Sequence, residues 1–145
     1  MKRANDFEGV WWLLSREDQA RDGTRRVDHT LGPDALGLLT YANGRFAAQF
    51  MKRDRKTAVV AASPDAGSNN TTAVGGYDAY FGTYVVEETS GEVIHNLDGA
   101  LNPNNIGIQV TRRLTVAGDR LQIQLETTTL EGEPVTRTLL WERVA

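Results

Sequence analysis

The chain has 145 residues, 40% of them apolar and 24% charged, and carries a formal charge of −3. That length buries one core well and two poorly, so a single domain over residues 1–145 is expected. The acidic balance argues against a nucleic-acid binder, which needs a basic footprint; the absence of cysteine excludes disulfides, thiolate catalysis and Cys-ligated metal, and two histidines are too few for a His-rich zinc site.

No run approaches the roughly eighteen uncharged apolar residues of a membrane-spanning helix, so insertion into a membrane is not expected. The N-terminus opens with the basic pair Lys2-Arg3, but Asp6, Glu8 and Arg16 interrupt what would have to be the apolar stretch of a signal peptide. The expected location is cytoplasmic.

Short runs rich in β-branched and aromatic residues recur between clusters of Gly, Asn, Asp and Pro, the pattern of an antiparallel sandwich or barrel. Val10-Trp11-Trp12-Leu13-Leu14-Ser15 is the first strand, and the charged stretch from Arg16 to about Thr30 reads as an exposed loop. Leu36–Ala42 and Arg45–Met51 flank Asn43-Gly44, a dipeptide that accepts the two positive φ angles of a type I′ turn and is the strongest hairpin signal in the chain. The basic run Lys52-Arg53-Asp54-Arg55-Lys56 could meet phosphate or a membrane surface, or form a solvated strand end.

From Ala58 to Gly76 the residues are small and polar, which predicts a long loop over one mouth, with a short helical turn allowed between Thr71 and Tyr80. Strands resume at Tyr80–Val86 and Glu92–Leu97 around a turn at Thr89-Ser90-Gly91. In the last third the alternation is nearly unbroken. Ile106, Ile108, Val110, Leu114 and Val116 share one parity; Leu121, Ile123 and Leu125 follow a turn at Ala117-Gly118-Asp119; Val135, Leu139 and Trp141 follow one at Glu131–Pro134. The fold class is therefore all-β: a closed, up-and-down antiparallel barrel of about eight to ten strands, a size that holds side chains or one small ligand.

Two polar residues fall on the apolar parity of their strands. Arg112 lies between Val110 and Leu114, so its guanidinium points inward and must find a carboxylate, carbonyls or an aromatic face; it is either a ligand anchor or a structural contact. His95 shares parity with Val93 and Leu97, and a neutral imidazole in a cavity can act as acid or base, touch a ligand, or serve packing alone. Tyr41, Tyr80 and Tyr84 offer hydroxyls on otherwise apolar strands, suited to orienting a ligand. Asn102-Pro103-Asn104-Asn105 is first a turn, with amides that could reach a barrel mouth. Phosphate-loop, nucleophile-elbow, zinc-protease and dinucleotide motifs are all missing, so no cofactor is expected.

Gly9-Val10-Trp11 resembles the G-x-W signature of lipocalins and the wider calycin group, and the resemblance to bacterial and fungal lipocalin-like domain proteins spans almost the whole chain. It runs through Gly37–Tyr41 with Asn43-Gly44-Arg45, Ala79–Tyr84, Val93-Ile94-His95, Asn102-Pro103-Asn104, Arg112-Arg113 with Gly118–Leu121, and Leu140–Arg143. The resemblance implies a barrel with an interior ligand cavity, a tryptophan plug at Trp11 stacked on a late basic residue (Arg143, with Arg113 a second candidate), and His95, Asn104 and Arg112 on family motif positions.

Two functions follow as expectations. In the first, the barrel binds a small, largely apolar metabolite, with Tyr41, Tyr80, Tyr84, His95, Asn104 and Arg112 as contacts. In the second, it is a cofactor-independent isomerase, cyclase, lyase or hydratase in which His95 moves a proton and Arg112 or Tyr84 steadies an oxyanion. The expected partner is a small organic molecule; a homodimer through an exposed strand face is compatible with either reading and required by neither.

Overall fold

The computed structural model describes residues 4–55 and 67–145. Nine strands are present: β1 (Gly9–Ala20), β2 (Arg25–Arg26), β3 (Leu36–Ala42), β4 (Arg45–Met51), β5 (Tyr77–Val86), β6 (Glu92–Ala100), β7 (Gln109–Ala117), β8 (Arg120–Thr128) and β9 (Pro134–Arg143). Each pairs antiparallel with its neighbour in the order β2-β1-β3-β4-β5-β6-β7-β8-β9, and a further β1–β9 pairing closes the sheet. Eight strands make the closed up-and-down barrel; the two-residue β2 is an addition on the edge of β1, paired at Asp18 and Gln19.

Period-two alternation explains most of the interior, since successive strand residues face opposite sides of the sheet. Leu39 and Tyr41, Phe46 and Phe50, Val93 and Leu97, Val110 and Leu114, Leu121, Ile123 and Leu125, and Leu139 and Trp141 are all buried. The hairpin at Asn43-Gly44 has the expected positive φ angles, 54° and 77°. Ile106 departs from the pattern: β7 begins only at Gln109, after a 3-10 turn at Pro103–Asn105, and Ile106 is exposed. The helical turn allowed between Thr71 and Tyr80 does not form, because Val74 bridges Tyr77 and β5 starts there.

One end of the barrel is plugged. Trp11 is fully buried, its indole N–H donates to the Phe7 carbonyl at 2.9 Å, and the Arg143 guanidinium lies 4.2 Å above its ring. Arg143, not Arg113, supplies the stacked cation; Arg113 faces outward to Glu126 at 3.0 Å. Gly9 is required here, because at φ 137° a Cβ would stand 2.7 Å from the Ala145 carbonyl oxygen, while the C-terminus bonds back to Val10.

Besides a register shift between β5 and β6 at Phe81 and Gly82, two departures from regularity in the wall bear on the interior. In β1 the register shifts between Leu13 and Ser15, so Leu14 is an extra residue. Such a bulge re-aims the side chains beyond it. Trp11 and Leu13 point inward before it; Arg16, Asp18 and Ala20 do so after it. The Arg16–Thr30 stretch expected to be an exposed loop is therefore corrected: its first five residues are strand, and two of its charges enter the barrel.

The second irregularity lies between β7 and β8, which pair with each other only from Arg113 to Ala117. Above that point the Asn69 side chain fills the gap as a surrogate peptide. Its Oδ1 accepts from the Thr111 N–H at 2.8 Å and its Nδ2 donates to the Glu126 carbonyl at 3.2 Å, with Asn69 itself at φ 52°. The Thr127 hydroxyl adds a bond to the Ser68 carbonyl at 2.7 Å. Asn69→Ala is expected to cost about 1 kcal/mol in urea unfolding, because these groups regain water, and to speed hydrogen exchange at the Thr111 amide; unchanged exchange there would contradict the insertion.

Of the basic run, residues 52–55 form a turn after β4, where Arg53 donates to the Asp34 carbonyl at 3.1 Å and Arg55 to the Gly75 carbonyl at 2.8 Å. Lys56 and the 58–66 part of the predicted loop lie outside the described residues. The rest of that loop, from Gly67, crosses the barrel mouth opposite the Trp11 plug and meets the inward charges there.

Candidate functional site

Inside the barrel is a cavity of about 40 Å³, room for a few waters or a small head group. Aromatic and aliphatic side chains make most of its wall, among them Leu39, Phe46, Phe50, Leu125 and Trp141, while Tyr41, Tyr80, Asp78, His95 and Arg112 bring polar atoms to it. A second cavity of about 70 Å³ lies beyond it toward the mouth, and Asn70, Thr71 and Arg137 belong to the walls of both.

His95 projects from β6 opposite Tyr84 of β5 and Val110 of β7. Its ring stacks on Phe46 at 4.3 Å between centroids, and its Nε2 is 2.7 Å from the Tyr41 hydroxyl. Burial, and then the positive charge of Arg112, push the imidazole down to about 3, so it is neutral near pH 7. Burial also raises the Tyr41 phenol well above its ordinary range. A neutral phenol facing a neutral imidazole makes the hydroxyl the natural donor and Nε2 the acceptor, which assigns the ring proton to Nδ1.

Arg112 enters from β7 without a bulge, as its parity predicts. Its Nη1 donates to the Thr111 carbonyl at 2.8 Å and to the Asn69 carbonyl at 3.1 Å, so the residue that fills the wall gap also holds this guanidinium. Burial lowers it to about 10, a value at which it remains a cation.

The mouth side of the cavity is an ionic network. Asp18 and Arg137 stand opposite each other in the β1–β9 register and pair through two bonds, 2.7 and 3.0 Å long. Asp28 joins Arg137 at 3.4 Å and Arg16 at 2.8 Å, while Arg137 also donates to the Asn70 amide oxygen at 3.2 Å. Burial works to raise the Asp28 carboxyl, but Arg16 and Arg137 prevail and hold it at about 2. Asp78 contrasts with it: burial raises its pKa, its Oδ2 accepts from Thr71 at 2.7 Å, and its Oδ1 has no hydrogen bond among the described residues.

Among the residues singled out by sequence, Tyr41, Tyr80, His95 and Arg112 converge on the cavity. Tyr84 does not line it: it packs edge-on against Tyr41 at 4.9 Å, and the Gly44 backbone hydrogen-bonds its hydroxyl. Asn104 is exposed, in a surface depression with Asn69 and Gln109. Its neighbours Asn102 and Asn105 are the buried ones, and Asn102 caps the turn by accepting the Asn104 N–H at 3.0 Å. Arg16, Asp18, Asp28, Asp78, Asn70, Thr71 and Arg137 were not anticipated. Arg137 shares parity with Val135 and Leu139, and Asp78 with Tyr80 and Tyr84, so the signal that finds Arg112 could have found both.

No helix among the described residues is long and apolar enough to cross a membrane, which says nothing of strands. A search of curated proteins finds no match to the chain. The family model described as "lipocalin-like domain" matches residues 8–144. With the tryptophan-plugged closed barrel and its interior cavity, that match over nearly the full length means that the chain belongs to the lipocalin-like domain family.

Proposed function

We propose that the barrel binds one small, largely apolar molecule, with its polar end against Arg112, His95, Tyr41 and Tyr80. The observation that carries this reading is the interior cavity itself, where apolar walls meet a few convergent polar groups, the usual composition of a small-molecule site. The free volume favours a compact molecule, or one whose tail passes between Asn70, Thr71 and Arg137 into the second cavity. Calorimetric titration with short-chain alcohols tests it. Wild type is expected to bind one molecule per chain with a negative heat-capacity change, and Leu125→Phe, which fills the cavity, to weaken binding by about tenfold, roughly the worth of one or two lost methylene contacts. Undiminished affinity in a folded Leu125→Phe protein would place binding elsewhere.

The Tyr41–His95 hydrogen bond favours a second reading, a cofactor-independent enzyme that transfers a proton on such a molecule, as an isomerase, cyclase, lyase or hydratase would. An imidazole held at about 3 is a weak base near neutrality, which weighs toward the container. His95→Gln separates the two: an enzyme loses turnover and keeps its affinity, whereas a container changes modestly in affinity alone.

A further inference from the structure

The three guanidiniums on the cavity wall are not equally neutralised. Arg137 is paired with the carboxyl groups of Asp18 and Asp28 and Arg16 with that of Asp28, at 2.7 to 3.4 Å. Among the described residues Arg112 has no carboxylate within 4.0 Å, and the partners of its Nη1 are the uncharged oxygens of Thr111 and Asn69. Among the described residues one acid, Asp78, lines the same cavity, and its carboxyl is engaged by Thr71 instead. Burial raises the Asp78 pKa toward its neutral form and keeps His95 uncharged, so neither compensates Arg112.

We infer that the molecule this barrel takes is an anion, its carboxylate seated against the Arg112 guanidinium beside His95 and Tyr80; this rests on the reading that the cavity binds a small molecule. A desolvated arginine without a counter-ion gains most from a group that is both charged and planar, since two parallel N–H···O bonds to a carboxylate match its fork. Nε and Nη2, one such pair of nitrogens, have no hydrogen bond among the described residues. The Nδ1–H of the neutral imidazole and the Tyr80 hydroxyl can donate further bonds without adding charge. A dianionic phosphate is a poorer fit, because one uncompensated cation meets one negative charge and the wall around it is mainly apolar.

The experiment compares hexanoate with 1-hexanol, equal in chain length and different in charge, on wild type, Arg112→Lys and Arg112→Met, each checked for folding by circular dichroism. Wild type is expected to bind hexanoate at least about tenfold more tightly than hexanol, Arg112→Lys to keep part of that preference, and Arg112→Met to lose or reverse it. In wild type alone, the carboxyl carbon-13 resonance of bound hexanoate is expected to remain that of the ionised form at pH 5, where an apolar site without a cation would favour the acid. Equal affinity for the two ligands or a protonated bound carboxyl would overturn the anion while leaving the container reading intact, and stronger retention of inorganic phosphate than of hexanoate would overturn the carboxylate. Failure of both ligands to bind would overturn both readings.

Discussion

Acidification from pH 7 to pH 4 is expected to remove about 3 kcal/mol of folding stability through His95 alone. Burial and the nearby Arg112 hold its imidazole at about 3 in the folded chain, against an ordinary 6.5. Above pH 6.5 both folded and unfolded states carry it neutral, and the full stability is present. Between 6.5 and about 3 the unfolded chain takes up a proton that the folded chain refuses, so stability falls by about 1.4 kcal/mol for each pH unit. Below about 3 the folded state protonates too, and the loss stops growing.

His95→Gln isolates the effect, because an amide oxygen still accepts from the Tyr41 hydroxyl but does not titrate. Urea unfolding at half-unit steps from pH 7 to pH 4 is expected to give a steep fall for wild type and a much flatter line for the variant. Asp78, whose raised pKa acts in the opposite sense, is common to both proteins and cancels in their difference. Asp28, depressed to about 2, contributes stability that is complete above its ordinary 3.8 and lost as pH falls toward 2, below the pH 4 end of the titration. Parallel profiles for the two proteins would mean that His95 is not held neutral in the folded barrel.

Arg137→Met is expected to cost about 3 to 5 kcal/mol, the usual penalty when one partner of a buried ion pair is removed. The substitution keeps much of the apolar volume but leaves Asp18, 3% exposed, with no cation bonded to it among the described residues, and takes one of two arginines from Asp28. A loss of that size is a large part of the stability of an ordinary domain. Adding Asp18→Leu to Arg137→Met is expected to restore most of it, because the burial cost of the carboxylate disappears while Arg16 still holds Asp28 at 2.8 Å. Urea midpoints for the two proteins decide this. A single variant within 1 kcal/mol of wild type would show the network to be dispensable, and a double variant no better than the single would show that the loss does not come from the stranded Asp18 carboxyl group. Hydrogen exchange in the segment from Gly67 to Thr72 is expected to rise in Arg137→Met, since Asn70 loses its bond to that guanidinium.

The alternating residues of β7, β8 and β9, the Asn43-Gly44 hairpin and the Gly9-x-Trp11 start were sufficient to specify an antiparallel barrel, and parity alone aimed His95 and Arg112 inward. These are local properties: a period of two and a turn that needs positive φ are set by adjacent residues. Tertiary structure decided the rest. The Leu14 bulge inverts the parity of β1 without any break in composition, so Arg16 and Asp18 read as surface charge until the register with β9 is known. Asp18 meets Arg137 across 119 positions of sequence, and Asn69 meets Thr111 across 42, distances over which no periodicity carries information. Arg143 rather than Arg113 covers Trp11 because β9 pairs with β1, whereas Arg113 lies on the outer face of β7. The chain's own pattern thus determined that there is a barrel and which strand faces form its lining. Closure and loop placement decided which interior charges are neutralised, and left Arg112 without a carboxylate partner among the described residues.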